Sequence, residues 1–179
     1  MEEIPTQFNK DDDEGPLRLG LKLASKSPPK PTNFRVGAVL VEMETGKVTS
    51  TGYTLELEGN THAEQCAFAK LAARLGVDEG EGLSRAMAGK PHAIYTTMEP
   101  CILRLSGNKP CVDRILEQKN WVRKVVIGVV EPGDFVEGND GRQKLVLGGL
   151  EVLHYEGLES EILSIARAGH DGAVENQGS

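Results

Sequence analysis

A chain of 179 residues, 39% hydrophobic and 26% charged, has the make-up of one globular domain long enough to bury a core without disulfide staples. Its 27 acidic against 20 basic residues leave a net charge of -7, which excludes the global positive field of most nucleic-acid binders and favours a small-molecule substrate. Three cysteines is an odd count for a disulfide framework, no stretch reads as a membrane span, and the acidic start Met1-Glu2-Glu3-Ile4 lacks a signal-peptide layout, so a reducing, cytoplasmic setting is expected.

Residues 1–15, with the run Asp11-Asp12-Asp13-Glu14, read as a disordered acidic tail. A single domain is expected over 16–170, and 171–179 as a polar C-terminal tail. Pro16 to Ser25 is ambiguous between strand and helix, and the acid followed by proline favours helix. Ser27-Pro28-Pro29-Lys30-Pro31 ends any regular element. Val36 to Val41 reads as a buried strand, Glu44-Thr45-Gly46-Lys47 as a hairpin turn, and Val48 to Thr54 as the returning strand. Glu64 to Leu75 has the apolar spacing of a helix stopped by Gly76. Gly76 to Lys90 reads as an exposed loop with a short helical piece at Leu83 to Met87. His92 to Thr97 is the third strand, Pro110 to Gln118 a helix and Lys124 to Val130 the fourth strand. After a Gly-rich loop come a short helix near Arg142 to Leu147, a fifth strand at Glu151 to Tyr155 and a helix at Glu159 to Ala168. That order predicts a three-layer α/β/α sandwich around a mixed five-stranded sheet.

The chemistry is concentrated in His62-Ala63-Glu64, Pro100-Cys101 and Cys111. One imidazole and two thiols are three ligands for Zn2+, which leaves the fourth tetrahedral position open, as in catalytic rather than structural zinc sites. All three ligands fall near predicted helix starts, where exposed N–H groups favour thiolate. Zinc brings the pKa of a bound water down towards ~7. Glu64, two residues after the histidine, is then placed to move protons. His-x-Glu followed by Pro-Cys and a second cysteine is the general pattern of zinc-dependent nucleobase deaminases. Taken singly, each piece has an ordinary explanation: a helix cap, an exposed pair, a buried inert cysteine. Cys66 is the one credible fourth ligand for a structural zinc, but it falls among apolar helix positions. His92, His154 and His170 show no partner pattern and read as structural or surface residues.

The spacing between the thiols is the unusual feature. A Cys-x-x-Cys arrangement would put the second thiol at position 104, which is Arg104; here nine residues intervene, ending in Pro110. They carry Arg104, Ser106, Asn108 and Lys109, a set suited to a phosphate or a polar ring substituent. The alternative is a surface loop that merely delivers Cys111 to the metal.

With Thr97-Met98-Glu99-Pro100-Cys101, Arg104 to Leu116, and Thr32-Asn33-Phe34-Arg35-Val36-Gly37-Ala38-Val39, the chain resembles the fungal riboflavin-pathway deaminases. These are zinc enzymes of the cytidine deaminase-like superfamily that act on 2,5-diamino-6-ribitylamino-4(3H)-pyrimidinone 5'-phosphate. The likeness runs from about residue 16 to 155 and includes Gly128 to Pro132, Phe135-Val136 and Gly141. It implies a cytidine deaminase-like fold, Zn2+ on His62, Cys101 and Cys111, and a proton shuttle at Glu64. It further implies ring contacts from Asn33 and the Ala63 backbone, a ribityl phosphate near Arg104, Ser106, Asn108 and Lys109, and a homodimer. Bacterial relatives add a reductase domain, for which 179 residues leave no room, so reduction is expected from a separate protein. The competing readings are a cytidine or deoxycytidylate deaminase, an editor of nucleic-acid bases, and a non-catalytic zinc-bearing scaffold.

Overall fold

In the computed structural model, which describes residues 3–130 and 141–170, five strands form one sheet. They are β1 (Gly37–Glu42), β2 (Val48–Tyr53), β3 (His92–Met98), β4 (Val122–Val129) and β5 (Glu151–His154), in the order β2-β1-β3-β4-β5. β1 pairs antiparallel with both β2 and β3, while β3–β4 and β4–β5 are parallel. The expected mixed sheet is therefore present. Six helices accompany it: α1 (Glu14–Ala24), α2 (Ala63–Leu75), α3 (Glu81–Met87), α4 (Cys111–Glu117), α5 (Gly141–Leu147) and α6 (Glu159–Ala166).

Strand alternation sorts the core into two layers. Leu40, Ile94, Val125 and Ile127 pack with Phe68, Leu71, Leu83, Ile115 and Leu145, contributed by α2 to α5. Val39, Val41, Ala93, Tyr95 and Val126 point the other way, onto Leu17 and Leu21 of α1 and Ile162 of α6. The period-two pattern of each strand dictates this division, because successive side chains leave opposite faces.

Two close backbone approaches fix the layers near the functional end. A Cβ on Gly37 would lie 1.8 Å from the Gly20 carbonyl oxygen, so α1 sits directly on the start of β1. A Cβ on Gly52 would lie 2.1 Å from the Ala63 carbonyl oxygen, so β2 touches the first turn of α2. Only glycine permits either approach.

Two expectations need correction. Residues 6–13 do not behave as a solvated tail: Phe8 N–H donates to the Gly46 carbonyl at 2.9 Å, and Asp13 Oδ1 accepts from both Tyr95 Oη at 2.9 Å and Lys124 Nζ at 3.0 Å. A buried phenol and a half-buried ammonium need an acceptor, and the acidic run supplies it. Nor is 76–90 simply an exposed loop. Leu83 is fully buried and Met87 nearly so, each worth about 2 kcal/mol of apolar burial, and this pair seats α3 on the α2–α4 layer. The short helical piece expected at Leu83 to Met87 is present as α3, which starts two residues earlier at Glu81; what the glycines and charges around it masked is its burial. Glu131, Pro132, Phe135 and Val136, part of the resemblance above, lie outside the described residues.

Candidate active site

The site lies at the carboxyl end of β3, where the parallel part of the sheet opens and ligands of α/β proteins usually bind. His62 is the residue before α2, and Ala63 and Glu64 form that helix's first turn. Met98 ends β3, and Cys101 follows three residues later. Cys111 is the first residue of α4, after an extended Pro110. Two helix starts and one strand end thus converge.

His62 Nδ1 lies 3.5 Å from Cys101 Sγ and 3.5 Å from Cys111 Sγ, and all three ligand atoms fall within 4.8 Å of one another. The spacing can be tested against zinc. Bonds of about 2.3 Å to sulfur and 2.0–2.1 Å to nitrogen at a tetrahedral angle put sulfur and nitrogen roughly 3.5 Å apart. Both nitrogen–sulfur distances match that value. Cys66, one helical turn beyond His62, is fully buried outside this group, its thiol pushed up by burial, and serves as core.

The thiols are electrostatically unequal. Cys101 is held well below the ordinary thiol value because Cys111 donates to it and His62 stands beside it. The Cys111 N–H also donates to Cys101 Sγ at 3.3 Å. Cys111 is pushed up for the converse reason, as donor to Cys101 in a buried place. A divalent cation bound here would hold both sulfurs as thiolates and take the place of the hydrogen bond between them.

Glu64 is 4% exposed, and one carboxylate oxygen accepts from Thr96 Oγ1 at 2.9 Å. Burial pushes its carboxyl up, as does the nearby Cys101, while His62 and Thr96 pull the other way. A carboxylate made more basic in this manner suits a group that must take a proton and give it back.

His62, Ala63, Glu64 and Cys101 share a cavity of about 460 Å³ with Thr32, Asn33, Phe34, Val36 and Thr54 on one wall and Met98, Glu99, Leu103 and Leu105 on the other. That volume is ample for one ring with a polar substituent. Asn33 is positioned by Thr32 Oγ1, which donates to its Oδ1 at 2.8 Å, and by its own Nδ2, which donates to Asn60 Oδ1 at 3.0 Å. His170 supports this wall, its ring 5.0 Å from that of Phe34 and its Nε2 2.9 Å from the Asn33 carbonyl. Glu99, its side chain only 2% exposed, faces Arg142 of α5 at 3.5 Å.

Of the sequence-predicted contacts, Asn33, Ala63 and Glu64 are brought together with the ligands. The nine-residue segment is arranged otherwise. Arg104 turns inward, with 7% of its surface exposed, and donates to Gln65 and to the Asn60 carbonyl. Lys109 pairs with Glu117 of α4, and the Ser106 hydroxyl accepts from Asn108 N–H at 3.4 Å. None of the four lines the cavity. Leu103, 66% exposed, and Leu105, 99% exposed, occupy its mouth instead. Their alternation around Arg104 was the readable signal. Thr96 and Gln65 escaped notice because neither residue type is diagnostic of a site.

Residues 10–129 match a family described as the cytidine and deoxycytidylate deaminase zinc-binding region. A Schizosaccharomyces pombe protein named diaminohydroxyphosphoribosylamino-pyrimidine deaminase is 39% identical over 150 residues, which are 84% of this chain and 34% of that protein. The chain thus spans about a third of that curated relative's length. Among solved structures, Aspergillus oryzae Rib2 deaminase, a C-terminal deletion mutant at pH 6.5, superposes with a TM-score of 0.81 at 43% identity, covering 92% of this chain and 95% of that one. The same enzyme in complex with DARIPP gives 0.79 at 44% identity over 89% and 92%. A Thermotoga maritima deaminase/reductase gives 0.65 at 28% identity, covering 86% of this chain and 39% of that one.

Proposed function

The chain belongs to the cytidine and deoxycytidylate deaminase zinc-binding family, and from that premise we propose that it hydrolyses the 2-amino group of 2,5-diamino-6-ribitylamino-4(3H)-pyrimidinone 5'-phosphate. Water enters, ammonia leaves, and 5-amino-6-ribitylamino-2,4-pyrimidinedione 5'-phosphate results, a step of riboflavin biosynthesis. The observation that carries this reading is the likeness, at 43–45% identity across nearly the whole of this chain, to a Rib2 deaminase that binds DARIPP.

His62, Cys101 and Cys111 hold the metal. When bound, zinc would acidify a water and stabilise negative charge on the oxygen added to the reacting carbon. Glu64 would take one proton from the attacking water and give it to the ring nitrogen, then take the proton of the newly added hydroxyl and give it to the amine, so that the C–N bond breaks, ammonia leaves and a carbonyl remains. Thr96 keeps its carboxylate aimed. Asn33 and the Ala63 backbone orient the ring, and Phe34, Leu103 and Leu105 keep bulk water off it. The thiolate ligands need a reducing compartment, which supports a cytoplasmic location. No helix among the described residues is long and apolar enough to cross a membrane. A homodimer is the assembly the resemblance supports, and light scattering of the purified chain tests it.

The deciding assay incubates zinc-loaded protein with the diaminopyrimidinone phosphate, with cytidine and with deoxycytidylate. One ammonia per pyrimidine phosphate is expected. Turnover confined to the cytosine compounds overturns the substrate reading. Glu64→Ala separates enzyme from scaffold: it keeps zinc and fold and loses activity.

A further inference from the structure

Arg104 stands between the two thiol ligands in sequence, yet it grips the segment that carries the third. Its Nη1 donates to Gln65 Oε1 at 2.9 Å and its Nη2 to the Asn60 carbonyl at 2.5 Å. The same Gln65 oxygen accepts the His62 backbone N–H at 3.3 Å. One guanidinium therefore holds the chain two residues before His62 and three residues after it. The grip extends one step further, because the Asn60 carboxamide accepts from Asn33.

Simple stabilisation does not account for this arrangement. The partners of Arg104 among the described residues are the neutral oxygens of Gln65 and Asn60, and its Nε is buried without a partner there. A permanent charge kept inside with only neutral acceptors is a poor stabiliser, and an apolar side chain would fill the space at less cost. What the guanidinium does supply is a rigid planar fork that fixes two acceptors relative to each other.

We propose that Arg104 is a positioning residue of the zinc centre. It clasps the Cys101–Cys111 segment to the start of α2, so that His62 Nδ1 meets both sulfurs at one distance. Arg104 acts through Gln65 and Asn60 and makes no contact with substrate. The proposal rests on the metal site and not on which pyrimidine the enzyme takes.

The test measures the zinc dissociation constant of Arg104→Met, Arg104→Lys, Gln65→Met and the Arg104→Met/Gln65→Met double variant by chelator competition. Thermal unfolding of each metal-free protein is followed alongside. Loss of a group that orients metal ligands weakens affinity by roughly 10- to 100-fold. That loss is expected in Arg104→Lys as well as Arg104→Met, since an ammonium lacks the fork. The double variant should bind no more weakly than the weaker single one, because both break the same clasp. A purely structural role would lower metal-free stability and leave the zinc affinity of the folded protein unchanged. Zinc affinity within twofold of wild type in Arg104→Lys and Gln65→Met overturns the proposal. So does strictly additive loss in the double variant, or a tenfold rise in KM at unchanged zinc affinity. Should Arg104→Met fail to fold, Arg104→Lys and Gln65→Met decide alone.

Discussion

Thr96 Oγ1 lies 2.9 Å from Glu64 Oε1 and 2.8 Å from the Met98 carbonyl oxygen, so one hydroxyl proton faces two acceptors. When Glu64 is ionised the hydroxyl donates to it, and when Glu64 carries a proton the hydroxyl can turn to Met98 and accept. Thr96 thus fits both states of the proposed proton carrier. Thr96→Val removes the donor at constant shape. The carboxyl, already pushed up by burial, should rise further, and the acid limb of the kcat/KM profile should move to higher pH. A fall of about tenfold in kcat at neutral pH, restored by Thr96→Ser, is expected. An unmoved acid limb in Thr96→Val would refute the role.

His92 gives a pH dependence of stability that is separate from catalysis. It is 2% exposed, with Nε2 2.8 Å from Thr49 Oγ1 and Nδ1 2.7 Å from the Lys90 carbonyl, and packs edge-on to Trp121. Burial pushes its imidazole below the ordinary value, against the opposing pull of the Lys90 carbonyl. The unfolded chain binds this proton near pH 6.5 while the folded chain does not. Stability is therefore complete above that pH and falls as pH drops towards the lowered folded value. The slope from this one group is up to about 1.4 kcal/mol per pH unit. Denaturant titrations between pH 7 and pH 5 should show a flatter decline in His92→Gln, and equal slopes would count against the assignment.

Gly52→Ala tests how β2 seats the histidine ligand. The added methyl would meet the Ala63 carbonyl at 2.1 Å and the Ala67 nitrogen at 2.6 Å, both backbone atoms that cannot step aside. Destabilisation of about 1–3 kcal/mol, with weakened zinc binding, is expected in equilibrium unfolding and metal titration. The exposed Gly59 has no atom within 4 Å of an added Cβ, but its φ of 91° makes it a poor control. Ala substitution at exposed Ser106 is better suited and should change neither quantity.

Metal removal should expose a difference among the three thiols. Cys101 is partly exposed and lies well below the ordinary thiol range when no metal is bound. An aromatic disulfide reagent should therefore label it rapidly in chelator-treated, folded protein. Cys66, buried and pushed up, should react only after unfolding. Zinc should protect Cys101, and equal labelling rates with and without zinc would argue that the thiols are not ligands.

The sequence carried the metal chemistry almost completely, because ligand types and order are dictated by coordination and survive any detail of packing. His62, Glu64, Cys101 and Cys111 were legible for that reason, as were the strands with their β-branched runs. The second tier was not. Polarity suggested that Arg104, Ser106, Asn108 and Lys109 face the substrate, but polarity does not reveal direction. Here the two leucines took the cavity side and the arginine between them turned to Gln65 and Asn60. Thr96 was hidden among the apolar residues of β3, since a threonine in a strand is ordinary until its neighbour across the sheet layer is known. The docked acidic run near Asp13 was missed because its partners, Tyr95 and Lys124, are 82 and 111 residues away.

The out-in-out run Leu103, Arg104, Leu105 also bears on which variants evolution or a protein engineer could accept. Beyond the clasp the segment has constraints of its own: Gly107 sits at a φ of 79°, where a side chain is strained, and Lys109 pairs with Glu117 of α4. Length before Arg104 matters too. Inserting or deleting one residue between Cys101 and Arg104 would carry the guanidinium away from Gln65 and Asn60. A segment that looks like spare loop is thus tied down twice, by a counted spacing before Arg104 and by a glycine and an ion pair after it.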